Sequence, residues 1–310
     1  MATPVSNSVA LPAIDGGNGT IADEAINGLV QGSSWQFGGG PRVLTYSFNL
    51  NDGPGGAFTS SFIDAVNRAL VEWSNVANIN FRNVASGTLY FESQADIAFT
   101  LTGDDLQLGL GAIGLAIFPD PAFANLLRAS AGLAITNYPN PEGDVFFDNF
   151  FQWYQFLNTG GAGLSTILHE IGHALGLKHP DDDGGNGRLT FSQLGISGLD
   201  SDRWSIMSNN ETDSAIAYNR DATPMPLDML AIQQIYGANM SFHAGDDIYL
   251  LTANSVSTAS PRRTIWDAGG NDTVDASSIN TSLSLVTIDL TPGTGFYQYR
   301  AQNDFTAIAY

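Results

Sequence analysis

Eleven consecutive residues, His169 to His179, carry the pattern HExxHxxGxxH. His169 and His173 are four residues apart, so on a helix they share one face, one turn from each other. Two imidazoles placed that way reach a single metal ion at about 2.0–2.1 Å. Glu170 lies too far round the helix to be an ideal third ligand, but its carboxylate reaches a water held at the metal. Gly176 can adopt a left-handed conformation without steric cost and so end the helix. The chain then turns back, Pro180 prevents the helix from resuming, and His179 approaches the same ion. Three neutral imidazoles leave a coordination position open, which is the arrangement of a catalytic zinc site. An acidified water beside a carboxylate that can take a proton and return it is hydrolytic chemistry. The chain has 4 histidines, and three of them fall in this window. Incidental histidines on a helix account poorly for that.

The elements that must hold this segment are legible in the surrounding pattern. Apolar residues at Leu164, Ile167, Leu168, Ile171, Ala174 and Leu175 predict a helix over about 163–177. Phe62, Ile63, Val66, Ala69, Leu70 and Trp73 predict another over 59–77. A third is expected at 226–236, stopped by Gly237. Strands are expected at 42–48, 79–84, 95–101, 114–118 and 143–147, each bounded by turn residues. Strand, helix and then several strands imply an α+β fold, a mixed sheet packed on helices. Residues 1–27 show weak periodicity and are read as an N-terminal extension or propeptide. Residues 28–240 are read as the catalytic domain. Beyond about 240 Gly, Asp, Ser and Thr alternate with short apolar pairs, and 241–310 is expected to form strands and turns.

The bulk composition narrows the partners. Of 310 residues, 14% are charged, below the usual share of roughly 25%. The balance is acidic, net −20, which disfavours nucleic acid and anionic membranes and favours cations. Cysteine is absent, so disulfides, thiolate zinc ligands and a cysteine switch are excluded. The first residues have no basic and apolar regions of a signal peptide, and no apolar run nears the roughly 20 residues of a membrane span.

HExxHxxGxxH is the zinc signature of the metzincin metallopeptidases, and within them the chain resembles the serralysin family. The resemblance is carried by Leu168 to Pro180, by Leu44-Thr45-Tyr46-Ser47-Phe48, by Pro226 to Asn239 and by Trp266 to Thr273. It implies a mixed five-stranded twisted sheet with long helices and a zinc cleft, followed by the start of a β-roll or β-sandwich calcium domain. It implies His169, His173 and His179 as zinc ligands, Glu170 as general base, and Met207, in Ser205-Ile206-Met207-Ser208, as the Met-turn beneath them. Serralysins carry a tyrosine two residues after that methionine. Asn209 stands there in this chain, so it is the candidate for oxyanion support, and slower catalysis is expected.

The same resemblance implies a calcium site joining two turns. Its side chains would be Asp247, Asp267 and Asp272, with carbonyls from His243, Gly245 and Gly269, while Gly270 would belong to a neighbouring site. The loop Asp181 to Arg188 departs from the family pattern; its acidic run Asp181-Asp182-Asp183 is read as solvated, with an extra cation site there as the alternative. The expected protein is a monomeric, secreted endopeptidase, a zymogen exported by a type I route, acting on polypeptides and met by a proteinaceous inhibitor. It would carry one zinc ion and structural calcium, and the chain would be C-terminally truncated. The competing readings are a narrow-substrate zinc hydrolase acting on cell-wall peptides and an inactive calcium-stabilised adhesin module.

Overall fold

A computed structural model describes residues 2–12, 20–50, 56–102, 113–130, 138–149, 156–211, 220–250 and 261–278, with the backbone of three further strands up to residue 309. The chain begins with β1 (Thr3–Val5), α1 (Ile21–Leu29) and β2 (Ser34–Gln36). The central elements are β3 (Val43–Asn49), α2 (Ser60–Val76), β4 (Asn80–Asn83), β5 (Ile97–Thr102) and β6 (Gly114–Ala116). They continue with α3 (Pro121–Ser130), β7 (Val145–Asp148), α4 (Ala162–Ala174) and α5 (Pro226–Tyr236).

Five strands form one sheet in the order β4-β3-β5-β7-β6. All neighbours run parallel except β6, which pairs antiparallel with β7 through Gly114–Phe147, Leu115–Phe146 and Ala116–Val145. Among the described residues β6 is therefore an edge strand, with no strand paired on its other side. The sheet is mixed and five-stranded, as expected.

α2 is amphipathic, and its apolar positions Phe62, Ala65, Val66, Ala69, Leu70 and Trp73 are buried. Thr59 caps it, accepting from Phe62 N–H; such a cap stabilises by about 1 kcal/mol. Trp73 anchors α4 to it, with the indole Nε1 donating to the Leu168 carbonyl at 3.2 Å. Two further aromatics hold the far end of α4. Trp35 Nε1 donates to the Ala174 carbonyl at 2.9 Å, and the Tyr236 hydroxyl donates to the Leu175 carbonyl at 2.8 Å.

The expected boundary at residue 27 falls inside α1. Thr20 and Asp23 form a capping box there, a local signal present in the sequence. α1 is packed into the main core through Ala25, Ile26 and Leu29, and β1 pairs antiparallel with β2. Past α5 lie β8 (Ile248–Leu250), β9 (Arg263–Trp266) and β10 (Thr273–Asp275). β8 and β10 pair in parallel. β11 (Val286–Asp289), β12 (Phe296–Ala301) and β13 (Asp304–Ala309) join β9 in a four-stranded sheet ordered β11-β12-β13-β9. No helix of the described residues is long and apolar enough to cross a membrane.

Candidate metal centre

α4 stops at Ala174, three residues before the expected end. Gly176 has φ +104°, and the Leu177 N–H reaches back to the Gly172 carbonyl at 2.9 Å. A side chain at Gly176 would also strike the Ser33 carbonyl, 2.6 Å from the position of its Cβ. The turn thus needs glycine for its dihedral and for its space. It delivers His179 to the ring nitrogens of His169 and His173. His179 Nε2 lies 3.1 Å from His169 Nε2 and 3.0 Å from His173 Nε2.

The other nitrogen of each ring is already committed. His169 Nδ1 donates to the Ile206 carbonyl at 2.7 Å, and His173 Nδ1 donates to the Leu177 carbonyl at 2.8 Å. His179 Nδ1 donates to Asp182 Oδ2 at 2.5 Å. A carbonyl can only accept, so Nδ1 carries the proton and each Nε2 presents a bare lone pair. Three lone pairs facing one another repel unless a cation sits among them. Two ligands at about 2.05 Å in tetrahedral directions stand roughly 3.3 Å apart, close to the observed separations. The donor set therefore fits a zinc ion. Burial lowers His169 to about 4 and holds His173 well below its ordinary value, which keeps both rings neutral as ligands.

Glu170 is 6% exposed and faces the same space. Its Oε2 is buried with no hydrogen-bond partner among the described residues, and burial pushes the carboxyl up to about 8. Gly114 of β6 lies directly against it: a Cβ there would stand 2.6 Å from Glu170 Oε1. Below the triad Met207 is fully buried, and a Cβ on Gly172 would stand 2.6 Å from its Sδ. The methionine thus lies under α4. Asn209 is exposed on the cleft wall.

Three supporting groups were not foreseen as such. Asp228, fully buried, accepts from Ser205 Oγ at 2.6 Å, from Ile206 N–H at 2.7 Å and from Met225 N–H at 2.8 Å. It fixes the turn whose Ile206 carbonyl orients His169. Burial pushes its carboxyl up to about 7. Asp182 belongs to the run expected to be solvated and is 45% exposed, yet it also pairs with His179. Burial raises its pKa, but the donors His179 Nδ1 and Gly184 N–H outweigh that and hold it below the ordinary value. Lys178 is fully buried. Its ammonium donates to the carbonyls of Gly28 at 2.5 Å, Asp182 at 2.7 Å and His179 at 3.2 Å, and burial lowers it to about 8.

The second set of site residues lies apart from this cleft. The carboxylates of Asp247, Asp267 and Asp272 come within 4.8 Å of one another. Asp272 Oδ1 accepts from Asp247 N–H at 2.9 Å, and Asp267 Oδ1 accepts from Gly269 N–H at 2.8 Å. His243 Nδ1 lies 3.0 Å from Asp247 Oδ1. Gly269 and Gly270 have φ +140° and +147°, and Gly270 is held against the Gly245 carbonyl so closely that no Cβ would fit. The two turns bearing these residues are thus brought together.

A mixed five-stranded sheet with an antiparallel edge strand above a three-histidine helix and a buried methionine turn is consistent with a metzincin-type catalytic domain. No protein-family model matches the chain. Serralysin G of Dickeya chrysanthemi is 31% identical over 305 aligned residues, covering 87% of this chain and 59% of its own length. Serralysin C of the same organism is 32% identical over 232 residues, 71% of this chain and 44% of its own. Metalloprotease AprA of Pseudomonas entomophila is 27% identical over 301 residues, 85% of this chain and 56% of its own. The chain belongs to the serralysin type of metalloprotease. It spans about half the length of these relatives, from 44% to 59%.

Proposed function

We propose that the chain is a secreted zinc-dependent endopeptidase that hydrolyses internal peptide bonds of extracellular proteins. One observation carries the reading. Three Nε2 lone pairs converge beside a buried carboxylate, and every Nδ1 is already engaged. His169, His173 and His179 hold the ion. When bound, zinc supplies Lewis acidity toward a water and a scissile carbonyl.

Glu170 takes the proton of the attacking water and returns it to the departing amine. Its burial makes it more basic than a solvated glutamate, and a nearby cation brings it back toward the ionised form. The substrate adds as an extended strand along the free side of β6, where Gly114, Leu115 and Ala116 line the cleft. The cleft, about 490 Å³, is large enough for side chains flanking the cut. Met207 is the apolar floor that fixes the height of the triad. Asn209, exposed and short, is the candidate for oxyanion support.

Asp247, Asp267 and Asp272 hold a structural calcium ion, with carbonyls of His243, Gly245 and Gly269 and with Gly270 at a neighbouring site. Secretion by a signal-peptide-independent route, a monomeric state and control by a proteinaceous inhibitor belong to the same reading. The test is casein cleavage by zinc-loaded protein, with zinc measured per chain. Chelation and Glu170→Ala should each abolish cleavage, the variant keeping its zinc. Cleavage that survives in Glu170→Ala would sink the mechanism.

A further inference from the structure

The cleft is lined by carboxylates, yet among its described lining residues there is one arginine and no lysine. Most of the carboxylates are already engaged. Asp182 is tied to His179. Asp202 and Asp221 are held from behind by Arg262, whose Nη2 lies 2.6 Å from Asp202 Oδ2 and whose Nε lies 2.7 Å from Asp221 Oδ1. All three of these side chains are buried; Arg262 offsets one carboxylate charge, and burial pushes Asp221 up to about 7, so this cluster is already engaged from behind. What faces the open space is Arg220 with Glu211.

Arg220 is rigidly mounted. Its N–H donates to the Gly160 carbonyl at 2.9 Å, just before α4, and its own carbonyl accepts from Arg262 N–H at 3.1 Å. Its side chain is 14% exposed and pairs through Nη1 with the Glu211 carboxylate, which is 44% exposed. The buried Nε has no hydrogen-bond partner among the described residues. A guanidinium has five N–H donors in a fork suited to carboxylates, and this one has a single side-chain partner among the described residues. Ser165 and Thr166, on the first turns of α4, line the same space.

We propose that Arg220 is a specificity-determining residue: its guanidinium receives an acidic side chain of the substrate, and Glu211 occupies that place when the cleft is empty. The inference rests on the peptidase reading given above. The exchange is favourable for a physical reason. A pair with a half-exposed Glu211 is weak and easily opened, whereas a carboxylate pressed into the cleft by a bound peptide is desolvated and pairs more strongly. The chain's net charge of −20 repels acidic peptides at long range. Any preference for them must then come from a local cation.

The experiment has two arms. First, zinc-loaded protein digests a peptide mixture, and the cut sites are read by mass spectrometry. Asp and Glu should be enriched at one position within two residues of the cut. Matched peptides with Glu or Gln at that position should then differ about tenfold in kcat/KM. Arg220→Gln should bring the ratio to unity or below, Arg220→Lys should retain part of it, and Glu211→Gln should raise it about threefold by freeing the guanidinium. Second, the Glu and Gln peptides are titrated, uncleaved, into Glu170→Gln protein with fluorescence anisotropy as the readout, with and without Arg220→Gln. The Glu peptide should bind more tightly, and only when Arg220 is present. Cutting without acidic enrichment, or a ratio that survives Arg220→Gln, overturns the proposal. If nothing is cut, the peptidase reading fails, and the binding arm still decides whether Arg220 selects acidic peptides.

Discussion

The sharpest consequence of the geometry concerns Gly114, far in sequence from the histidines. Its backbone does not have positive φ, so alanine fits the strand. Reduced freedom of the unfolded chain would even favour Gly114→Ala by about 0.4–1 kcal/mol. The difficulty is space. The new Cβ would stand 2.6 Å from Glu170 Oε1 and 2.8 Å from both Cδ and Cγ. Non-bonded heavy atoms settle at about 3.5–4.0 Å, so the carboxylate must withdraw by roughly 1 Å. It will move before the strand does, because Oε2 has no partner to restrain it. A displacement of that size costs on the order of 10²-fold in rate, about 2.7 kcal/mol of barrier. Gly114→Ala should therefore lose about a hundredfold in kcat/KM on a fluorogenic peptide. It should keep one zinc per chain and melt within a few degrees of the parent. Adding Glu170→Asp, whose shorter side chain avoids the clash, should cost less than the two single losses multiplied. A kcat/KM within threefold of the parent would refute the reasoning. So would loss of zinc, because the clash would then have been relieved through the triad.

Other outcomes follow from neighbouring contacts. Gly172→Ala should destabilise by up to about 2 kcal/mol in urea unfolding: the clash with Met207 Sδ costs about 1–3 kcal/mol against a helix gain near 1 kcal/mol. A more stable variant would show that Met207 does not press on α4. Asp182→Asn should weaken zinc affinity about 10–100-fold in a chelator competition, since a carboxylate partner raises the basicity of His179. Equal affinity would mean that the His179–Asp182 contact orients nothing. Calcium should raise the melting temperature in proportion to its logarithmic concentration, and Asp272→Asn should remove most of that response while leaving zinc content unchanged.

The site was legible because its grammar is local. Two ligands one turn apart, a glycine that ends the helix and a third ligand just beyond it need no knowledge of the rest of the chain. The sheet was legible for a similar reason: β3, β5 and β7 are short apolar runs between turn residues, and α2 has a clean apolar face. Asp228 escaped notice because its role depends on folding α5 back onto the Ser205–Met207 turn, a contact that no periodicity records. The pairing of Asp182 with His179 escaped notice because the acidic run is solvated, as such runs usually are, and only the direction of one side chain distinguishes a partner of His179. The pairing of Arg262 with Asp202 and Asp221 spans 60 and 41 residues. α1 was masked by the polar, weakly periodic text around it, although its capping box was there to be read. The end of α4 was set three residues too late because Leu175 and Leu177 continue the apolar pattern past the point where Gly176 unwinds it.

Lys178 ties these parts together. Its ammonium sits among three backbone carbonyls, the place a small monovalent cation would otherwise fill. Here the cation is carried by the residue just before His179. One of its acceptors, Gly28, belongs to α1. The helix nearest the chain start is thus part of the masonry behind His179. Loss of α1 would remove the Gly28 acceptor, free Lys178 toward water and loosen the loop that carries His179, while leaving the three histidines and Glu170 themselves in place.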